Sequence, residues 1–423
     1  MRVNIGKTVL ENPFLVSSGP YSETIRSIEK AFKIGFGGVV AKTSLLEKEY
    51  QQIFPGIPPS VPVFFKVDRD RIYAIDTFAP LPLEKFIPRL AEIRRRYGKP
   101  IFISAVALKP KSFLKIGKMI EEYGLDGIEL NFSCPVPSLL MKKAAGGFSV
   151  YYDTKLFLDS VKYAKKNDIT VGVKIPPSLP LSLQAAYLAV KSNVDFITFG
   201  NLLAFHPIPS ENPFVKIIPG AGVGGRPLKE EILASISYSS VIVDYRKTAI
   251  MVSGGVLSGR DAYHYYLFGV RAFQITSMLA LKGYSYFPKL LKEFNEIVDN
   301  KKDLLGSIYR GKAKSVESFI KTGKKSFEDV KIKINLEKCN GCSICEDTCP
   351  RSAIEIRNGK AYILGEYCEK CMLCYHRCPV NAVEIQGIEK VFSNVLSSTE
   401  EKILRLPVFG KLLARIYLGK GVE

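Results

Sequence analysis

Runs of Val, Ile, Phe and Ala recur along the first two thirds of the chain, and longer segments with polar positions separate them. Runs that are apolar throughout are typical of parallel strands buried on both faces. Eight such runs alternating with helical segments predict an α/β fold, a closed (β/α)8 TIM barrel, with a doubly wound open sheet as the alternative. The predicted strands are Phe14–Ser18, Gly38–Thr43, Ile101–Val106, Gly127–Phe132, Thr170–Ile175, Asp195–Gly200, Ala249–Gly254 and Ala272–Thr276.

Two segments do not fit the strand and helix alternation. Residues 3–10 are predicted to form a small hairpin that caps the bottom of the barrel. The interval from Leu45 to Lys99 is too long for one helix, and its Pro and aromatic content predicts an inserted segment over one end of the barrel. It contains Asp68-Arg-Asp-Arg71, whose arginines either hold an anionic substrate or pair with the aspartates on an exposed face.

Polar residues end several predicted strands, where reactive groups stand in such barrels. Lys42 and Lys174 would be costly to bury without an anion, although a lysine can also extend its ammonium group to solvent. Gly254-Gly255 and Thr276-Ser277 follow the last two strands, where backbone amides and hydroxyls commonly bind phosphate. Gly222-Val-Gly-Gly225 is a further turn that could let the backbone approach the same ligand.

Eight of the nine cysteines form two C-x2-C-x2-C-x3-C-P runs, with a period of 29 residues from Cys339 to Cys368. This spacing holds [4Fe-4S] clusters, and the fourth cysteine of each run ligates the other cluster. Zinc or disulfides are the alternatives, but zinc sites typically use two pairs of ligands. We predict a small α+β bacterial-type ferredoxin domain with two [4Fe-4S] clusters. The predicted ligands are Cys339, Cys342, Cys345 and Cys378 for one cluster and Cys368, Cys371, Cys374 and Cys349 for the other.

The chain has 423 residues, 47% of them hydrophobic, which is enough for more than one core. The predicted domains are a barrel over 1–305, a connector over 306–330, the ferredoxin-like domain over 331–388 and a basic amphipathic tail over 389–423. No apolar run has the length of a transmembrane helix and no signal sequence is evident, so a cytoplasmic protein is expected. The net charge of +19 is dispersed and no nucleic-acid motif is present, so no nucleic-acid partner is predicted.

Five short motifs at the predicted strand ends occur together in a known family. They are Asn12-Pro13-Phe14 with Ser18-Gly19, Lys42-Thr43 with Leu46-Glu-Lys48, Glu129-Leu-Asn-Phe-Ser-Cys-Pro135, Gly172-Val-Lys-Ile-Pro-Pro177 and Ser253-Gly-Gly255. The barrel thus resembles the flavin-dependent dihydroorotate dehydrogenases, and with the cysteine module it is similar to the iron-sulfur, FMN-bearing portion of dihydropyrimidine dehydrogenases. The flavin-contacting positions that this resemblance implies are Ser18, Gly19, Lys42, Thr43, Asn131, Lys174, Asn201, Gly225, Gly254, Gly255, Thr276 and Ser277.

The resemblance also implies a mechanism. Oxidation of a carbon-carbon single bond moves a hydride to the flavin while a base removes a proton from the neighbouring carbon. Cys134 stands at the family's base position, although a buried packing cysteine is the alternative. We therefore predict an FMN-dependent oxidoreductase that acts on the CH-CH group of a small-molecule substrate of the dihydroorotate or dihydropyrimidine type.

The asparagines that contact the pyrimidine ring in this family are partly replaced. Val136 follows Cys134-Pro135 where asparagine is usual, Asn201-Leu202 stands in place of an Asn-Ser pair, and no asparagine lies between Phe14 and Leu130. A site that lacks these partners loses discrimination for an amide edge. The substrate therefore stays open between a pyrimidine and another small polar molecule.

The electron partner is predicted to be external, because no dinucleotide-binding fingerprint is present. It is either an NAD(P)-linked flavoprotein subunit or a soluble ferredoxin, and a homo-oligomer is expected. Two other functions stay open: a non-catalytic electron-transfer subunit, and a membrane-associated enzyme that uses a non-pyrimidine substrate and quinone. The second rests on the tail, where apolar residues mix with Lys402, Arg405, Lys411 and Arg415 as in helices that lie on a membrane surface. Docking of this tail onto the protein's own surface or onto a partner is the alternative.

Overall fold

The computed structural model describes residues 1–47, 64–75, 78–79, 81–134, 144–206, 221–299, 304–307 and 330–386. These residues fall into two compact units, one within residues 1–307 and one within residues 330–386. The predicted tail over 389–423, most of the predicted connector over 306–330, and the motif residues Lys48, Pro135 and Val136 lie outside the described residues.

Eight parallel strands of the first unit close into a barrel. Their ends differ from the predicted ends by two residues at most. The TIM barrel is therefore confirmed, and the open sheet is wrong. In chain order the strands of this unit are β1 (Val3–Ile5), β2 (Thr8–Leu10), β3 (Phe14–Val16), β4 (Gly38–Leu45), β5 (Phe64–Asp68), β6 (Arg71–Ile75), β7 (Ile101–Val106), β8 (Gly127–Asn131), β9 (Thr170–Ile175), β10 (Phe196–Phe199), β11 (Leu203–His206), β12 (Ala221–Gly225), β13 (Ala249–Ser253) and β14 (Val270–Ile275). The barrel consists of β3, β4, β7, β8, β9, β10, β13 and β14.

Helices between the barrel strands cover its outer surface. The first begins after Thr24, whose side chain accepts a hydrogen bond from Ser27 N, and ends at Gly35 in the left-handed conformation. The helices are α1 (Ile25–Ile34), α2 (Leu83–Tyr97), α3 (Ser112–Glu122), α4 (Ser149–Tyr152), α5 (Thr154–Ala164), α6 (Leu181–Lys191), α7 (Pro227–Ser239), α8 (Gly259–Leu267), α9 (Ser277–Lys282) and α10 (Phe287–Asp299), with 3-10 turns at Pro20–Ser22 and Tyr284–Tyr286. Among the described residues, no helix has the length and hydropathy needed to cross a membrane.

The interior of the barrel changes from apolar to polar along its axis. At the amino end an apolar cluster fills the barrel, and the β1–β2 hairpin closes it with Ile5 and Leu10. The barrel members of this cluster are Leu15, Val40, Phe102, Phe196, Ala249, Met251 and Ala272. Two positions further along six of these strands the residues are polar and buried, namely Ser17, Lys42, Ser104, Thr198, Ser253 and Gln274. Because alternate side chains of a strand share a face, the carboxyl end of the barrel has a polar interior.

A four-stranded sheet in the order β11-β12-β6-β5 lies outside the barrel. Its β5–β6 hairpin comes from the predicted inserted segment and pairs with β12, where Gly225 is opposite Arg71. Gly225 has a φ of 92°, and a Cβ there would lie 2.1 Å from the carbonyl oxygen of Asp70. Glycine therefore allows β12 to end against the turn of the hairpin.

The second unit contains two antiparallel strand pairs and two short helices. Its elements are β15 (Lys331–Ile334), α11 (Ile344–Asp347), β16 (Ile354–Arg357), β17 (Lys360–Ile363), α12 (Leu373–Arg377) and β18 (Val383–Gln386). β15 pairs with β18, and β16 pairs with β17. The sequence repeat is also visible in the backbone, since left-handed residues recur at Ser343 and Met372 and again at Ser352 and Asn381. The small α+β domain is confirmed.

We predict that Gly172→Ala destabilises the barrel by about 1–3 kcal/mol, because a Cβ at Gly172 would lie 2.3 Å from the fully buried ring of Phe196. Thermal unfolding of the variant measures this loss. Phe196→Leu should partly relieve the clash, so the double variant should be more stable than the sum of the single changes predicts. Additive losses would show that the ring is not the obstacle.

Candidate functional site

A cavity lies at the carboxyl ends of the barrel strands and encloses about 650 Å³ of empty space, including its open mouth. Residues of β9 and β14 and the segments that follow β3, β10 and β13 line it. The hairpin strand β6 contributes Ile72 and Ala74, so the inserted segment covers part of the cavity. The predicted flavin-contacting residues among its lining are Ser18, Gly19, Lys174, Asn201, Gly254, Gly255, Thr276 and Ser277.

Two further predicted residues, Thr43 and Asn131, belong to a hydrogen-bond chain that starts and ends at the cavity. Thr43 Oγ1 is 2.9 Å from Ser18 Oγ and accepts a hydrogen bond from Asn131 Nδ2 at 3.0 Å. Asn131 Oδ1 accepts one from Ser133 Oγ, which in turn accepts one from Asn201 Nδ2 at 2.7 Å. The chain links four barrel strands and fixes the orientations of both asparagine amides.

Lys42 and Cys134 stand beside this chain. The Lys42 side chain is almost fully buried, with 2% of the residue exposed, next to Thr43 in β4. Cys134 is half-buried, directly follows Ser133, and accepts a hydrogen bond from Phe148 N through its carbonyl oxygen. Neither residue is among the described residues that line the cavity, and the segment 135–143 after Cys134 lies outside the description.

Three other candidates lie away from the described lining of the cavity. Gly225 faces the hairpin turn, and Arg69 and Arg71 are exposed residues of that turn and of β6. Asp70 between them pairs with Arg226 at 3.3 Å. The hypothesis that Arg69 and Arg71 hold an anionic substrate finds no support in this geometry, which places both arginines on an exposed face.

Five polar residues around the cavity floor are absent from the predicted catalytic and flavin-contacting residues. Ser17, Ser253 and Gln274 line the cavity, whereas Glu129 and Thr198 lie behind Gln274. The available signal was their position, because each is a polar residue inside an otherwise apolar barrel strand or at its end. Such a residue must face a polar interior or a ligand.

A buried ion-pair cluster supports the segment after β13. Lys229 Nζ lies 2.9 Å from Asp261 Oδ1 and 2.8 Å from His264 Nδ1. Burial opposes ionisation of Asp261, but hydrogen bonds from Lys229 and Ser258 bring its pKa below the ordinary value. Arg226 joins Asp261 to Asp70, so this cluster also fastens the hairpin over the cavity.

In the second unit, the cysteines line two cavities in crossed sets. One cavity, of about 330 Å³, is lined by Cys339, Cys342, Cys345 and Cys378. The other, of about 380 Å³, is lined by Cys349, Cys368, Cys371 and Cys374. Within the described part of the chain, no three His, Cys, Asp or Glu residues converge on a site for a single metal ion. Each cavity is lined by the first three thiols of one run and by the fourth thiol of the other run.

Two family models match the chain. The family model described as Dihydroorotate dehydrogenase matches residues 1–298, and that described as 4Fe-4S dicluster domain matches residues 338–385. The chain belongs to the dihydroorotate dehydrogenase family. Membership makes it an oxidoreductase and implies FMN, and the second match implies [4Fe-4S] chemistry.

Relatives of this dihydroorotate dehydrogenase family member differ in how much of the chain they match. The catalytic subunit of dihydroorotate dehydrogenase B (NAD(+)) from Thermoplasma acidophilum is 26% identical over 69% of this chain and 92% of its own length. The NAD-dependent dihydropyrimidine dehydrogenase subunit PreA from Escherichia coli K12 is 25% identical over 80% of this chain and 82% of its own length. The crystal structure of the Eimeria tenella DHODH in complex with ferulenol has a TM-score of 0.57 at 18% identity, covering 71% of this chain and 84% of that one, which shows the shared fold alone.

The cavity of this family member fits FMN. Thr276 Oγ1 is buried and has no hydrogen-bond partner among the described residues, so the site offers an unused polar group to a ligand. Gly255 has a φ of 72°, and a Cβ there would lie 2.7 Å from the backbone of Lys229. A glycine is thus required where the segment after β13 passes the cavity, and its backbone is open to a phosphate.

The thiol cavities fit iron-sulfur clusters. Ala353 N donates a hydrogen bond to Cys349 Sγ at 3.2 Å, and Ala382 N donates one to Cys378 Sγ at 3.1 Å. Such donors stabilise the charge on cluster sulfurs. Burial raises the pKa of Cys374 to about 11. Metal binding must therefore displace the proton of this thiol, which couples cluster assembly to the folding of this unit.

We predict that Thr276→Val weakens FMN binding by about 10-fold or more, because the variant removes the unpartnered hydroxyl without changing the shape of the side chain. Without FMN the variant should be at least as stable as the wild type, since a buried unsatisfied group is lost. Equilibrium dialysis and thermal unfolding measure the two effects. Thr8→Val, which breaks the 2.9 Å contact with Thr170 at the bottom of the barrel, should lower stability and leave FMN affinity unchanged.

We predict that Cys349→Ala disturbs the same iron-sulfur signal as Cys371→Ala, because both thiols line one cavity. Cys378→Ala should match Cys342→Ala instead. Electron paramagnetic resonance of the four reduced variants measures this. If the Cys349→Ala spectrum matched that of Cys342→Ala, the crossed arrangement would be contradicted.

Proposed function

We propose that this chain is an FMN-dependent oxidoreductase that acts on the carbon-carbon bond of a small polar substrate. Its electrons pass through two [4Fe-4S] clusters to or from an external redox partner. The single observation that carries this proposal is the combination, in one chain, of a polar barrel cavity lined by Lys174 with two crossed sets of four thiols. The barrel over 1–305 and the ferredoxin-like domain over 331–388 would form the two functional modules.

In this proposal, the two ends of FMN are held by different parts of the barrel. Gly254-Gly255 and Thr276-Ser277 would bind the phosphate, whereas Lys174, with Ser17 and Gln274 beside it, would face the ring system. Lys42 and Lys174 are each only 2% exposed. Buried ammonium groups favour an anionic ligand, because opposite charges attract strongly in a poorly hydrated site. Bound FMN would supply hydride transfer.

We assign the proton transfer to Cys134. It is half-buried and directly follows Ser133, whose hydroxyl forms hydrogen bonds with Asn131 and with Asn201 of the cavity lining. During oxidation the thiolate would take a proton from the carbon next to the one that loses hydride, and during reduction the thiol would return it. The neighbouring asparagine amides would orient the polar edge of the substrate.

A dihydropyrimidine-type substrate is favoured by one specific comparison. The match to PreA covers 80% of this chain, against 69% for the dihydroorotate dehydrogenase B subunit. Leu202 argues against a site that contacts every polar group of a pyrimidine. It is an apolar residue of the cavity lining at a position where the family usually has serine. We therefore propose a reduced pyrimidine or a related cyclic amide that needs fewer hydrogen bonds than dihydroorotate.

The proposed partner is a flavoprotein subunit that uses a nicotinamide cofactor. Two relatives carry NAD in their names and are themselves subunits. Both cysteine runs place one thiol at the surface, Cys342 and Cys371, which offers a short path for electrons to leave each cluster. The positive net charge of +19 would attract an acidic partner.

The proposal is tested by mixing the purified holoprotein anaerobically with dihydrouracil, dihydroorotate and unsaturated carboxylic acids. Bleaching of the flavin by a reduced pyrimidine, or reoxidation of the reduced flavin by its unsaturated form, is expected. A holoprotein whose flavin reacts with none of these metabolites would favour the non-catalytic electron-transfer subunit.

We predict that Cys134→Ala keeps FMN bound but slows flavin reduction by the substrate about 100-fold or more, which is the usual contribution of a positioned base. Stopped-flow absorbance under anaerobic conditions measures the rate. Cys134→Ser keeps a group that can carry a proton and should fall between the wild type and the alanine variant. Equal rates in all three proteins would place the base elsewhere.

A further inference from the structure

A fully buried acidic residue, Glu129, lies in β8 behind the cavity wall. Its Oε2 accepts hydrogen bonds from Thr198 Oγ1 at 2.7 Å and from Gln274 Nε2 at 2.5 Å. Gln274 lines the cavity, whereas Glu129 is not among the described lining residues. The acid therefore acts on the cavity only through its neighbours.

Keeping a carboxyl group at this position is costly. Glu129 Oε1 is buried and has no hydrogen-bond partner among the described residues. An unsatisfied buried polar group costs about 1–3 kcal/mol, and an apolar side chain in the same strand would avoid that cost. Packing alone therefore gives no reason for an acid here.

The carboxyl group decides which way the Gln274 amide points. The amide nitrogen has two hydrogens, and both are used, one by Glu129 Oε2 and one by Thr198 Oγ1 at 3.1 Å. If the amide were flipped, Gln274 Oε1 and Glu129 Oε2, which are both acceptors, would lie 2.5 Å apart. Gln274 Oε1 is thereby turned to Ser17 Oγ, at 3.4 Å, and can only accept hydrogen bonds on the cavity side.

The same contacts connect Glu129 with the buried lysine of the cavity. Lys174 Nζ donates to Ser17 Oγ at 3.5 Å, and Ser17 can donate to Gln274 Oε1. All donors in this series point from the ammonium group toward the carboxyl group. These two contacts of Ser17 are long, and its hydroxyl is closer to Ser253 Oγ, at 2.9 Å, so they orient the groups more than they bind them. Thr198 of β10 is also the cross-strand partner of Lys174, and β8 with Glu129 pairs with the other edge of β9, so the two charged groups belong to neighbouring strands.

We infer that Glu129 is a positioning residue that fixes Gln274 and offsets the charge of Lys174, and that it thereby sets the reduction potential of the flavin. This inference rests on the proposed binding of FMN in the cavity. A nearby negative charge opposes the arrival of electrons on a ligand in a poorly hydrated site. Removing that charge should therefore favour the reduced flavin.

The test is E129Q, in which an amide of the same shape replaces the acid. Potentiometric titration of the flavin in the holoprotein should give a potential more positive by about 30 mV, equivalent to a tenfold change in the equilibrium constant of a two-electron couple. FMN dissociation, followed by flavin fluorescence, gives a second measurement. FMN binding is expected to stay close to that of the wild type, because the carbonyl oxygen of the new amide can still accept the hydrogen bond from Gln274 Nε2.

The exchange variant E129Q/Q274E separates positioning from simple structural support. It restores an acid-amide pair but moves the acid to the cavity side, so the flavin potential should fall below that of the wild type. A merely structural pair would regain both stability and the wild-type potential. D126N is the matched control, since Asp126 precedes the same strand and pairs with Arg94 at 2.7 Å. It should lower stability without changing the potential.

An unchanged potential in FMN-bearing E129Q overturns the inference and leaves the proposed function intact. If E129Q does not fold, the exchange variant decides, and a wild-type potential in that protein overturns the inference. A wild-type chain that binds no FMN overturns both the inference and the proposed function.

Discussion

The burial of charge at one end of the barrel is the constraint on which the site depends. Lys42, Lys174 and Glu129 are almost fully buried, although a closed barrel could be filled with apolar residues throughout. The amino end of the same barrel is filled in that way, with Phe102, Phe196 and their neighbours. The apolar end supplies stability, and the polar end can therefore keep groups whose burial is unfavourable. The cavity, the ordered amides and the covering hairpin all lie at that polar end.

The second unit follows a different constraint, because four cysteines line each of its two cavities. The 29-residue repeat gives two similar loops, and the crossed sets of thiols tie each loop to the other. This unit has a small apolar cluster that includes Cys339, Cys345 and Cys374 themselves. Its packing is thus built around the thiols, and small domains of this kind commonly depend on a bound metal group for stability.

The sequence was sufficient for the fold because both units repeat strong local patterns. The eight apolar strands and the cysteine spacing each have one favoured structural solution. The sequence was less informative about the site. Glu129, Thr198 and Gln274 are far apart along the chain, and only the closure of the barrel brings them together. The structural role of Gly225 could not be predicted from the sequence either. Only glycine fits at this position because the hairpin turn packs against it.

The central claim is that FMN in the barrel and the clusters of the same chain exchange electrons. The most direct measurement is a flash experiment on the anaerobic holoprotein, in which photochemistry delivers less than one electron per chain and absorbance follows the flavin and the clusters. We expect electrons to redistribute between them at a rate that does not depend on protein concentration. A rate proportional to protein concentration, or no redistribution at all, would contradict the account.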